Sequence, residues 1–81
     1  MRIHVLFFAS TCDAAGAASV DLDVQEGATV RDVREALAGR YPVLAPRLPH
    51  VRFAVDREFA ALEAPLRPGS EVAVIPPVSG G

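Results

Sequence analysis

Apolar and polar residues alternate from Arg2 to Ala9, in a run rich in β-branched and aromatic side chains that predicts a strand. Period-two geometry places Ile3, Val5 and Phe7 on one face and Arg2, His4, Leu6 and Phe8 on the other. The first set makes a core face. The second begins polar and turns apolar, so Leu6 and Phe8 need a cover. Ser10-Thr11-Cys12-Asp13 reads as a loop, and Ala14 to Ser19 as a small, flexible stretch turning at Gly16. Val20-Asp21-Leu22-Asp23-Val24 alternates again, apolar inward and acidic outward, as a half-exposed second strand that Gly27 ends.

The period then changes. Thr29 is a good helix N-cap, with Asp32 placed to complete a capping box. Val30, Val33, Ala36 and Leu37 share one side, while Arg31, Arg34 and Glu35 turn to water, and Gly39 with Pro42 should stop the helix. Tyr41 to Pro49 holds three prolines and predicts a loop with little regular structure. Val51 to Val55 resumes a strand, Asp56-Arg57-Glu58 makes a turn, and Phe59-Ala60 returns briefly. Leu62 to Leu66 is irregular. Pro68-Gly69 turns into a final strand, Glu71 to Ile75, with Val72 and Val74 on one face and Ala73 and Ile75 on the other.

A hairpin, a helix crossing one face, a short hairpin and a last strand make an α+β fold. The long segment before the last strand permits a crossover, so that strand is expected to lie parallel to the first. This is the β-grasp arrangement of ubiquitin: a mixed sheet on one main helix, spanning residues 1–75. Residues 76–81 then form an extended C-terminal tail. Its edge and the edge of the last strand offer pairing to a partner strand.

Composition adds exclusions. The chain has 81 residues, enough for one core; it is 51% apolar and 22% charged, with a net charge of −2. Its basic residues are single arginines scattered between acids, which gives nucleic acid no basic patch to bind. All eight are arginine, so the chain offers no lysine for a Schiff base, a general base or an isopeptide bond. A single cysteine, Cys12, makes no internal disulfide. The opening apolar stretch is short and interrupted by His4, unlike a signal peptide, and no window approaches the roughly 18 apolar residues of a membrane span. A cytoplasmic location is expected.

No ordinary active site emerges. His4 and His50 lack cysteine or carboxylate at metal-ligand spacing, Cys12 lacks a basic neighbour, and the glycines do not form a phosphate loop. The end of the chain remains. Pro76-Pro77 cannot donate to a sheet and should lead the chain away as a stiff arm, followed by Val78, Ser79, Gly80 and Gly81. Glycines without side chains can pass a narrow slot and present an unhindered carbonyl. Alone, terminal glycines could simply be unstructured. After a β-grasp body, an apolar last strand and Pro-Pro, they read as a working tail whose reactive group is the Gly81 carboxylate.

Val5-Leu6-Phe7-Phe8-Ala9, Ala54-Val55-Asp56, the Leu66-Arg67-Pro68-Gly69 turn and the closing Val74 to Gly81 together resemble the small subunit of molybdopterin synthase, a MoaD-type sulfur carrier of the ubiquitin-like family. After Ala9 that family commonly has an arginine-containing stretch, where this chain has Ser10, Thr11 and Cys12. The resemblance implies that an adenylyltransferase similar to ubiquitin-activating enzymes uses ATP and magnesium to adenylate Gly81, and that a sulfur donor then converts it to a thiocarboxylate. The tail, Pro76 to Gly81, would enter the large synthase subunit, in an expected heterotetramer, and give its sulfur to cyclic pyranopterin monophosphate. The chain itself would bind no cofactor or metal and catalyse nothing alone. Leu6, Phe8, Phe59 and Ile75 are the expected docking patch, with core membership as the competing reading. Related sulfur carriers for thiamine, cysteine or tRNA thiolation, a ubiquitin-like protein modifier, and a regulatory module with an inert tail remain open.

Overall fold

The structure, a computed structural model, describes residues 1–77. Strand β1 (Arg2–Phe7) pairs antiparallel with β2 (Ser19–Asp23), and β3 (Arg52–Val55) pairs antiparallel with β4 (Glu58–Ala60). The last strand, β5 (Glu71–Ile75), lies between them, parallel to β1 and antiparallel to β3, giving a five-stranded sheet in the order β2-β1-β5-β3-β4. This is the β-grasp sheet expected from the alternation. One expectation fails here: both edges of β5 are taken, so the free edges of the sheet belong to β2 and β4. A parallel partner for β1 has to sit in the middle once a second hairpin is added beyond it.

The core forms between one sheet face and the helix α2 (Val30–Arg40). Ile3 and Val5 are fully buried and Phe7 nearly so; Val72 and Val74 on β5 and Val30, Val33 and Leu37 on α2 are also fully buried. Truncating any of the larger ones to alanine should cost about 2–5 kcal/mol. The capping box is present: the Thr29 side chain accepts from the backbone of Asp32, whose carboxylate accepts from the Thr29 amide at 2.9 Å. Two details differ from the helical pattern. Ala36 is exposed and Arg34 is half-buried. The helix also runs through Gly39 to Arg40 and stops before Pro42, because the residue preceding a proline is pushed out of the α region.

Two further elements appear where loops were expected. Residues after β1 form a six-residue helix, α1 (Ser10–Ala15), closed by Gly16 in the left-handed conformation. A helix this short leaves no periodicity to read. Tertiary anchoring holds it, since Thr11 is fully buried. The proline-rich stretch forms a 3-10 helix, Ala45–His50, because Leu44 and Leu48 bury on the core while Pro46 fits the first turn. Tyr41 ties the end of α2 to β1, its ring edge-on to Phe7 with centroids 5.5 Å apart. Among the described residues no helix is long and apolar enough to cross a membrane.

Candidate functional site

The sheet face opposite α2 carries two kinds of surface. Across its first rows, Arg2 stands opposite Asp23, and His4 stands between Asp21 and Glu71. His4 Nδ1 and Asp21 Oδ1 are 2.6 Å apart, and Arg2 Nε lies 3.3 Å from Asp23 Oδ1. The hydrogen bond from His4 holds the Asp21 carboxyl below its ordinary range, against desolvation and with smaller help from the charges of His4 and Arg2. Hydrogen bonding to Asp23 likewise raises Arg2. These exposed pairs organise the polar end of the face and contribute little stability.

Further along, the same face turns apolar. Leu6, Ala73, Ala54 and Phe59 stand in register across β1, β5, β3 and β4. Phe8 and Ile75 follow one row on. Together they line an open groove of about 410 Å³, with Arg57 and Glu71 on its rim. Phe8 is 47% exposed and Phe59 59%, whereas Leu6 and Ile75 are half-buried. The two alanines are what make a groove: small side chains on the central strands leave a floor between larger ones at its sides. Arg52 covers Phe59 from above, its Cζ 3.8 Å from the ring centroid.

The four side chains singled out from alternation therefore converge on one surface. Pro76 and Pro77 do not join it. They line a different cleft on the helix side of the sheet, with Ser10, Thr11, Arg47 and His50. Val78, Ser79, Gly80 and Gly81 lie outside the described residues. Both surfaces meet at the end of β5, where the tail departs.

That junction is organised by Thr11, which sequence reasoning left in a loop. Its Oγ1 accepts from the Phe8 amide at 3.0 Å and stands 2.6 Å from the Phe8 carbonyl and 3.3 Å from the Val74 carbonyl. The hydroxyl thus fastens the end of β1 to the end of β5. Ala9 between them has φ 50°, a conformation that alanine adopts only under constraint. A threonine three residues beyond Phe8, whose backbone it bonds, is the local signal for such a turn. Ala54 and Ala73 were also passed over, because small residues on a strand carry no signal of their own. Among the described residues no group of three histidine, cysteine or acidic side chains is placed to hold a metal. Cys12 is a half-buried free thiol.

The sequence model of the ThiS family matches residues 5–81. The chain belongs to that family. Among ThiS-family relatives, the chain is 34% identical over 83 residues to the human molybdopterin synthase sulfur carrier subunit, covering 99% of this chain and 94% of the human one. Small archaeal modifier protein 1 of Haloferax volcanii is 38% identical over 82 residues, covering 91% of this chain and 94% of its own. The crystal structure of SAMP1 from Haloferax volcanii matches the fold with a TM-score of 0.92 at 35% identity, over 100% of both chains. The ThiS-family assignment and the β-grasp sheet agree, and the MoaD-type resemblance of the sequence stands within it.

Proposed function

We propose that this protein is the sulfur-carrier subunit of a molybdopterin synthase, with Gly81 as its working residue. The observation that carries the reading is the 34% identity to the human molybdopterin synthase sulfur carrier subunit along 99% of the chain, within a family match that begins in β1 and runs through Gly80-Gly81. The fold supports it by placing an apolar groove at the end of the sheet from which the tail leaves.

A carboxylate is a poor electrophile, so Gly81 must first be activated. An adenylating partner uses ATP and magnesium to form the acyl-adenylate and release pyrophosphate. A sulfur donor then displaces AMP and leaves a thiocarboxylate, ionised at neutral pH and a good nucleophile. The groove lined by Leu6, Phe8, Phe59 and Ile75 docks the large subunit, and the four residues beyond Pro77, reaching at most about 14 Å, carry the sulfur to cyclic pyranopterin monophosphate. The thiocarboxylate sulfur bonds to a substrate carbon, linking Gly81 to it as an acyl thioester, and water then cleaves the C(O)–S bond, leaving the sulfur on the substrate and returning Gly81 to a carboxylate. The chain supplies sulfur and reach, residues 1–75 acting as the body and 76–81 as the arm, in the cytoplasm; the catalytic groups belong to its partners.

A protein-modifier role is the second reading, favoured by the identity to small archaeal modifier protein 1. The absence of lysine bars lysine-linked chains of this protein but not its attachment to others. One experiment separates the two. The full chain is incubated with ATP, magnesium, the adenylating enzyme and a sulfur source, and its intact mass is followed. A gain of about 16 Da marks carboxylate-to-thiocarboxylate exchange, whereas conjugates to lysines of other proteins mark the modifier.

A further inference from the structure

A second surface flanks the tail on the side away from the apolar groove. The cleft there, about 350 Å³, has Pro76 and Pro77 along one wall and the 3-10 helix with Pro46, Arg47 and His50 along the other. Its remaining lining among the described residues is Ser10, Thr11 and Val51, with no acidic side chain among them. That is unusual on a chain of net charge −2, whose opposite sheet face displays Asp21, Asp23 and Glu71.

The arginine is poised. Arg47 Nη1 donates to the Ser10 carbonyl at 3.4 Å. Among the described residues, Arg2 and Arg31 are paired with carboxylates, and Arg40 and Arg52 lie over aromatic rings. Arg47, like Arg34, Arg57 and Arg67, makes no ion pair among those residues, but it alone of these four lines the cleft beside Pro76 and Pro77, oriented by a neutral carbonyl. A guanidinium held by one neutral carbonyl keeps its other N–H groups for a bidentate carboxylate.

We propose that this cleft receives an extended, carboxylate-bearing segment of the protein that adenylates the tail, gripping the arm at its root while the apolar groove docks the body. Proline walls suit an extended chain, because they offer flat apolar surface without competing donors. The inference rests on the reading that Gly81 is adenylated, a step the sulfur-carrier and modifier roles share, so it does not depend on the choice between them.

The test is ATP–pyrophosphate exchange by the adenylating enzyme with the full-length chain as substrate, at two salt concentrations. Arg47→Glu should raise KM about tenfold or more with kcat unchanged, Arg47→Gln should fall between it and the wild type, and the wild type should lose more affinity with salt than either variant. His50→Glu, on the same wall, should raise KM in the same direction. Circular dichroism should show all three variants, at two exposed positions, to be folded. An unchanged KM in Arg47→Glu and His50→Glu, alongside normal exchange with the wild type, overturns this proposal alone. No exchange with the wild-type chain overturns the adenylation reading as well.

Discussion

Thr11 holds the backbone of Phe8 by both its amide and its carbonyl, at 3.0 and 2.6 Å, while Phe8 as a residue stays 47% exposed. A fixed main chain under an exposed aromatic side chain is the arrangement of a docking residue, because the ring is presented without loss of order on binding. Phe8→Asp is therefore expected to keep the circular dichroism spectrum and thermal transition of the folded chain and to abolish measurable binding to the large subunit by calorimetry. Loss of the folded spectrum would move Phe8 into the core.

The hydroxyl itself is the next target. Thr11→Val preserves shape but strips the fully buried contact that joins β1 to β5, leaving the Phe8 amide with only the Val74 carbonyl at 3.2 Å. Urea unfolding should show a loss of about 1–2 kcal/mol with an unchanged m-value. Stability equal to the wild type would mean that the Ala9 turn does not depend on Thr11.

The hairpin between β3 and β4 turns on Asp56 and Arg57, with φ of 49° and 73°. Asp56 is fixed by reciprocal bonds with Glu71, its amide donating at 2.8 Å and its carboxylate accepting at 3.0 Å. Arg57 has no such support and carries the left-handed conformation at a cost. Arg57→Gly should stabilise the fold by about 1 kcal/mol in thermal or urea unfolding. A destabilised variant would show that the Arg57 side chain contributes contacts that outweigh the backbone relief.

Asp21 gives the pH dependence its sign. Its folded carboxyl titrates below the unfolded one because His4 donates to it, so the pair stabilises the fold above the ordinary carboxylate range. That contribution disappears as pH falls through the lowered value. In His4→Ala the Asp21 carboxyl, followed by carbon-13 NMR, should titrate higher than in the wild type. An unchanged titration would assign the shift to another neighbour.

Much of this was legible in the chain. Strands β1 and β5 declared themselves because their larger core side chains alternate: Ile3, Val5 and Phe7 are buried against a more exposed Leu6 and Phe8, and Val72 and Val74 are fully buried with the small Ala73 between them. The capping box at Thr29 and Asp32 needs only local spacing. Hidden from sequence were features set by distant contacts. Thr11 folds Ser10–Ala15 into a helix by bonding across to Val74, sixty-three positions away along the chain. Leu44 and Leu48 impose a 3-10 turn on a proline-rich stretch by burying on the core. The groove floor of Ala54 and Ala73, and the separation of Pro76-Pro77 from the apolar patch into a basic cleft, require knowing that β5 sits between β1 and β3.

The decisive measurement is the intact mass of the full chain after reaction with ATP, magnesium, the adenylating enzyme and a sulfur source. A shift of about +16 Da, localised by fragmentation to Gly81 and absent when Gly81 is deleted from an otherwise folded chain, is the predicted result. An unmodified terminus under conditions where the same enzyme thiolates a known sulfur carrier would contradict it.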